Sequence, residues 1–504
     1  MNNRKKTLKN FFFSIIGQVA TIALGVALPR LYIVSYGSEV NGMLASIQQF
    51  LVYLGLFEAG IGAATLQALY KPVAQGNHED INGVIKATSV FYKKTAVCYG
   101  MGLLLIGFLY PLTLKTTLPY LFMVACVLLS GIGNFVLYLV HAKYKLLLQA
   151  DGRFYVSVNL STITTVLINI FKIILIMSGK GVLSVLAVSA VVEMIPAVFL
   201  MIYVRRCYPF LDLSVKPQFE KISQSKYMIV HQIAHMVFQH TDLLFISMIC
   251  GLKAASVYAI YRMIISHIEA VLAIPMNSVG FILGQTYQTD KQKYTKMIDL
   301  FERWYAAALF SVYSVTLQLL VPFITIYTKG VTDAQYADGV LAVLFVLTAI
   351  LVACRVPMDN TINYAGHFRQ TLPQTIFETA INLVVTIPCT FVLGICGALI
   401  GTIAALLYRT NDIIIYANKR LLERSPKGTY AIYAEQVAIS VLVFFLFCFF
   451  DTPTSYFGFF ITGAGMLAVS SVCYFFFNLL ISKESRKRFQ MYLFSMCKRI
   501  KEKK

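Results

Sequence analysis

The residues of this chain best suited to chemistry are charged or titratable groups set inside long apolar runs. His231, His235 and Asp242 share one run. At the roughly 100° per residue of a helix they fall within about 40° of one another, with Gln239 beside them, whereas His240 points elsewhere. Such a stripe suits the coupling of protons or cations to movement, because two imidazoles and a carboxylate in one line change charge near neutral pH. A zinc site needs a further ligand that the run does not supply, and neutral imidazoles bonded to neighbouring helices are the competing reading. Five cations sit in other runs: Arg30, Lys172, Arg262, Arg355 and Arg409. An Arg or Lys at the middle of a membrane helix costs about 2.5 to 3.5 kcal/mol on insertion scales, so each must face a cavity, meet a partner or snorkel to an interface. Arg262 has Glu269 seven residues on, and Arg355 has Asp359 at i+4. Arg30, Lys172 and Arg409 lie close enough to run ends for snorkelling. A smaller polar line, Gln374, Glu378 and Asn382, is spaced by four and offers hydrogen bonds either to a ligand or across helices.

The runs that hold these residues determine the class of protein. A bilayer core about 30 Å thick needs roughly 20 apolar residues per helix, and about fourteen stretches of that length run almost end to end through the chain. The spans are expected near 11–29, 42–64, 91–110, 119–140, 154–177, 182–204, 227–250, 254–284, 304–327, 340–357, 372–393, 394–416, 430–450 and 457–481. With 58% hydrophobic and 13% charged residues, a soluble domain would have too little polar surface. The formal charge of +20 follows topology: roughly 34 of the 43 Lys and Arg fall on the side shared by both termini, which places the termini in the cytoplasm. The basic tail from Lys483 to Lys504 is expected to lie on anionic headgroups of membrane lipids, and no nucleic-acid module accompanies it.

The expected fold is all-α: a polytopic membrane protein with a six-helix lobe over 1–204, a cytoplasmic linker over 205–226, a second six-helix lobe over 227–416, two further helices over 430–481 and the tail over 483–504. The halves show faint self-similarity at an offset of about 214 residues, with Gly37 and Gly42 matching Gly251 and Ser256. An even number of spans per half implies parallel repeats about an axis along the membrane normal. The opening run resembles a signal peptide in its charge but is longer than a usual signal core and is expected to stay as span one. The ten cysteines have no C-x-x-C spacing and read as ordinary buried thiols; no metal or other cofactor is expected. No outward connection exceeds about a dozen residues and no phosphate-binding loop occurs, so catalytic domains and an ATP motor are not encoded here, and secondary transport is favoured over enzyme function.

Two segments carry a resemblance. Pro29 and Arg30, then Tyr36-Gly37-Ser38-Glu39-Val40-Asn41-Gly42, then Leu54-Gly55-Leu56-Phe57-Glu58-Ala59-Gly60-Ile61-Gly62, closely resemble the opening of the bacterial polysaccharide flippases of the multidrug/oligosaccharidyl-lipid/polysaccharide exporter superfamily. His240-Thr241-Asp242-Leu243-Leu244, followed by Gly251 and Val257-Tyr258, resembles that family's seventh-span motif. Asn41 and Phe57 depart from the usual residues, and the motifs carry no information on the glycan. The resemblance implies alternating-access translocation of an undecaprenyl-diphosphate-linked oligosaccharide across the bacterial cytoplasmic membrane, with polysaccharide polymerase and export machinery as partners. A diphosphate and sugars crossing hydrocarbon need fixed cations and hydrogen-bonding groups, so Arg30, Lys172, Arg262 and Arg355 are expected to contact phosphate or sugar, Glu378 and Asn382 sugar hydroxyls, and His231, His235 and Asp242 to take part in ion coupling. Glu58, among glycines, is expected to serve close helix packing with a donor such as Arg30; Glu193 beside Pro196, and Pro322, are expected to mark bends. A drug or organic-cation antiporter of the same superfamily predicts an acidic cavity, and a polymerase or ligase predicts a large outer loop.

The charge asymmetry makes a direct prediction. In a cysteine-free background, an impermeant thiol reagent applied to intact cells labels Lys329→Cys and spares Lys427→Cys; the reverse pattern overturns the orientation.

Overall fold

The computed structural model describes residues 24–58, 61–222 and 226–482 together with Arg486. The run before Leu24, Ala59 and Gly60 of the opening motif, and the basic tail other than Arg486 lie outside the described residues. Helices follow in the order α1 Leu24–Tyr36, then α2 Ser38–Leu54, α3 Ile61–Gln75, α4 His78–Thr113, α5 Tyr120–Val136, α6 Ala142–Ala150, α7 Phe154–Met177, α8 Val182–Glu193, α9 Ile195–Cys207, α10 Lys226–Ile249, α11 Leu252–Thr289, α12 Lys291–Tyr327, α13 Gly339–Ala365, α14 Phe368–Leu393, α15 Ile395–Tyr416, α16 Lys427–Phe447 and α17 Tyr456–Ile481. Among the described residues, 12 helices are long and apolar enough to cross a membrane; of the shorter apolar helices, Met236–Ile249 falls within the expected span seven, and Leu24–Tyr36 overlaps only the end of the expected span one and continues past it.

Several helices outrun the apolar windows. The expected loop 65–90 is helical over most of its length, and α12 starts thirteen residues before Trp304. Capping explains both starts. The Asn77 side chain accepts from the Asp80 amide at 3.1 Å, and Asp290 accepts from the Lys293 amide at 2.9 Å, meeting donors that the first turn leaves open. At the other end of α13, Gly366 takes φ +69° and closes the helix in the left-handed region.

The chain packs as two compact units. The first comprises the described residues of Met1–Ile260, Gly330–Ala334 and Thr390–Ile395. Its core gathers Met43 and Ile47 of α2, Leu69 of α3, Val84, Ile85, Tyr92 and Tyr99 of α4, Cys126 of α5 and Leu147 of α6. The linker docks on this unit: Lys221 pairs with Asp80 at 2.7 Å, and Asn82 donates to the Phe210 carbonyl at 3.0 Å. Gly37 and Gly251 precede α2 and α11 with φ of +86° and +90°, so the two glycines matched in sequence open their helices in the same backbone conformation. Asn41 donates to Ser256 at 2.7 Å. Glu58 accepts from Tyr92 at 2.6 Å, so a phenol on α4 supplies the donor that packing requires. The helix breaks between Glu193 and Ile195, with Pro196 in the first turn of α9, whereas Pro322 is accommodated inside α12.

The second unit comprises Tyr261–Lys329, Gln335–Cys389 and the described residues of Cys396–Lys504. Helices α13, α16 and α17 pack on α12. The last two are joined to it by small polar contacts: Ser311 to Ser470 at 2.5 Å, Ser314 to Tyr474 at 3.0 Å, and Arg303 to Glu435 at 2.6 Å. Such contacts suit lipid, where apolar burial between helices gains little over contact with acyl chains. Helices α14 and α15 approach closely at Gly401, where a Cβ would fall 2.1 Å from Thr386 Oγ1 and 2.6 Å from its Cα.

Gly401→Val therefore forces α14 and α15 apart and is expected to destabilise the second unit by about 1 to 3 kcal/mol. Thermal melting in detergent reads this as a lower midpoint, while Gly428→Ala, with nothing within 4 Å of its Cβ, shows no fall. Equal midpoints for wild type and Gly401→Val would contradict the packing.

Candidate functional site

Three neighbouring helices of the second unit bring charges together. Arg355 of α13 donates through Nη1 to Glu378 Oε1 of α14 at 2.6 Å. The other carboxylate oxygen lies 3.5 Å from Nε of Arg409 on α15. Arg409 also reaches Asp412 Oδ2 through Nη1 at 2.6 Å and Thr375 Oγ1 through Nη2 at 3.1 Å. The side chains of Arg355, Glu378 and Arg409 are 11%, 7% and 6% exposed. Two guanidinium groups thus face two carboxylates, and the group is formally neutral. Neutrality is what allows it to be buried, since an isolated charge in such surroundings costs several kcal/mol (roughly 3 to 5 when one partner of a buried pair is removed).

The local sequence explains the assembly. Glu378 and Thr375 lie three apart on α14 and share a face, as do Arg409 and Asp412 on α15. The partner of Arg355 is Glu378 on the next helix rather than Asp359 one turn along. Sequence spacing revealed i+4 neighbours but not a cross-helix one. Asn382, one turn beyond Glu378, is fully buried, and its amide donates to Thr402 of α15 at 3.1 Å and to Thr386 at 3.3 Å. That bond runs across helices, so the side chain belongs to the α14–α15 seam and does not reach into open space.

Arg262 stands apart from this group. Its Nη1 lies 3.0 Å from both carboxylate oxygens of Glu269 one helical face along α11, which is the pairing their spacing suggests. The pair is partly exposed, at 37% and 25%, and so remains within reach of a ligand.

The remaining expected site residues lie in the first unit. Arg30 is half-buried on α1. Lys172 of α7 is half-buried and interacts electrostatically with Glu193 at the end of α8. On α10, Asp242 is buried and accepts from Tyr258 of α11 at 3.4 Å, while His240 bonds Gln49 of α2 at 2.6 Å, away from Asp242. The His231 and His235 side chains lie outside the described residues. Among the described residues no three His, Cys, Asp or Glu side chains gather as metal ligands.

Asp412 is the member of the network that sequence reasoning passed over. Its signal was present, as an acid three residues after Arg409 in an otherwise apolar run. Arg409 itself read as an interfacial snorkeller, whereas the structure buries it between Glu378 and Asp412.

No family model matches the chain, and no curated protein matches it in sequence. Its structure does have counterparts. The lipid II flippase MurJ in an inward closed conformation superposes with a TM-score of 0.63 at 13% identity, covering 93% of this chain and 99% of that one. An inward-facing multidrug resistance MATE family transporter of the MOP superfamily gives a TM-score of 0.52 at 16% identity, covering 80% of this chain and 95% of that one. These likenesses span nearly the whole length of each counterpart and rest on helix order and packing. The chain is accordingly a polytopic helical membrane protein with a fold like those of the lipid II flippase MurJ and of a MATE family transporter of the MOP superfamily.

Proposed function

We propose that this protein moves undecaprenyl-diphosphate-linked oligosaccharide units from the inner to the outer leaflet of the bacterial cytoplasmic membrane, by alternating access, for polysaccharide export. The observation that carries the proposal is the placement of Arg262, Arg355 and Arg409 inside membrane-spanning helices of the second unit, each held by a carboxylate. A lipid diphosphate needs fixed cations along its route, and arginine suits phosphate because its planar fork donates two hydrogen bonds at once. The fold shared with a lipid II flippase supports the reading. In it Arg30 and Lys172 provide further cationic contacts on the first unit, Glu378 positions the two arginines it bonds, and Asp242, with His231 and His235 on the same helix, takes the coupling ion. Both termini are cytoplasmic. The prenyl chain stays in lipid while the head group crosses.

An organic-cation antiporter is the alternative, supported by the likeness to a multidrug transporter. It calls for carboxylates with spare negative charge. Glu269, Glu378 and Asp412 each meet an arginine, so none of them offers a cation an unmatched negative charge.

Arg262→Ala is the cleanest test, since this partly exposed pair contributes least to the buried packing. Loss of a charge-assisted hydrogen bond to phosphate costs about 1.5 to 3 kcal/mol, so surface glycan should fall roughly tenfold or more at normal membrane abundance. Arg262→Lys should restore it in part, because a point charge replaces a fork. Normal surface glycan in the Ala variant at equal protein level would remove Arg262 from the site.

A further inference from the structure

A cavity of about 190 Å³ lies within the second unit between α11, α12 and α13, distinct from the Arg355–Glu378–Arg409 group. Its wall holds Glu269, Tyr305, Tyr313 and Asn360 among apolar side chains that include Met276 and Val356. Tyr313 is 1% exposed, and among the described residues its hydroxyl has no hydrogen-bond partner. A buried phenol left in that condition costs about 1 to 3 kcal/mol, which a partner entering the cavity would recover. The space would hold about six waters, the volume of one small ring rather than of a chain of them.

The lining narrows the chemistry of an occupant. Among the described lining residues Glu269 is the one carboxylate, and Arg262, which is not part of the wall, pairs with it at 3.0 Å. A phosphate inside the cavity would meet that carboxylate, and would reach Arg262 only outside the wall. A cation would meet a carboxylate whose charge is already matched. An alkyl chain would strand the phenol and the carboxylate without hydrogen bonds. A neutral polyol ring fits all of these surfaces: its hydroxyls can donate to Glu269 and both donate to and accept from Tyr313, while its C–H face packs on Tyr305 and the apolar wall. We infer that this cavity is a subsite for a single sugar unit of the transported head group, an inference that rests on the lipid-linked oligosaccharide reading above. Arg262, partly exposed and bonded to Glu269, then links the sugar subsite to the cationic contacts made with the diphosphate.

Equilibrium binding to the purified full-length protein in nanodiscs tests this with two probes, undecaprenyl diphosphate and undecaprenyl diphosphate bearing one N-acetylglucosamine. Wild type should bind the sugar-bearing lipid about three- to tenfold more tightly than the bare one, the range of one or two neutral hydrogen bonds. Tyr313→Phe, which removes only the hydroxyl, should erase most of that gain and leave the affinity for the bare lipid unchanged. Ala353→Leu, which fills the cavity from α13 without altering its charge, should do the same and serves if the Phe variant does not fold. A gain that survives in the folded variants, a wild type that binds both lipids equally, or a parallel loss for both lipids overturns the subsite and leaves the proposed function standing. Failure of wild type to bind either lipid overturns the function and the subsite together.

Discussion

Charge balance among membrane-spanning helices is the constraint on which the second unit depends. Glu378 sits between two arginines contributed by different helices, and Asp412 completes the account of Arg409. Each charge is tolerable only because another is fixed within hydrogen-bonding distance. Removing any one of the four leaves the group with a net charge, and removing Glu378 strands the buried Arg355, at a cost of about 3 to 5 kcal/mol, a large fraction of a protein's net stability. Helices α13, α14 and α15 are consequently tied to one register, and the close approach at Gly401 with the Asn382–Thr402 bond fixes two of them at the separation this register needs.

The same logic recurs elsewhere. Serine and tyrosine hydroxyls join α12 to α17 and α17 to α16, Arg303 of α12 pairs with Glu435 of α16, and Tyr92 meets Glu58 in the first unit. In hydrocarbon these bonds specify which faces meet, because lipid tails solvate an apolar helix face nearly as well as another helix does. The Arg262–Glu269 pair is more exposed than Arg355 and Arg409 of the same unit, and exposure is what makes it available to a ligand.

Much of this organisation was legible in the chain. Apolar length located the spans, and Gly37 and Gly251 marked equivalent helix starts. The Arg262–Glu269 pair followed from positions on a single helix. What the sequence did not reveal was long range. Arg355 pairs with Glu378, twenty-three residues away on another helix, and no local spacing distinguishes that partner from Asp359. The helical extensions of α4 and α12 beyond the bilayer were also missed, since apolar windows detect the membrane and are blind to helix that continues into water under Asn77 and Asp290 caps. The Tyr313 cavity left no trace in sequence at all, because an orphaned hydroxyl is a property of its neighbours.

Charge balance also separates the two transport readings. Arginines released from their carboxylates favour a diphosphate, and carboxylates released from their arginines favour an organic cation. Reconstitution into proteoliposomes with a fluorescent undecaprenyl-diphosphate-linked sugar, scored by accessibility of the sugar from outside, addresses this directly. The account predicts protein-dependent movement of that lipid between leaflets and no proton-driven efflux of a fluorescent organic cation from the same vesicles. Efflux of the cation with the lipid left in place would contradict it.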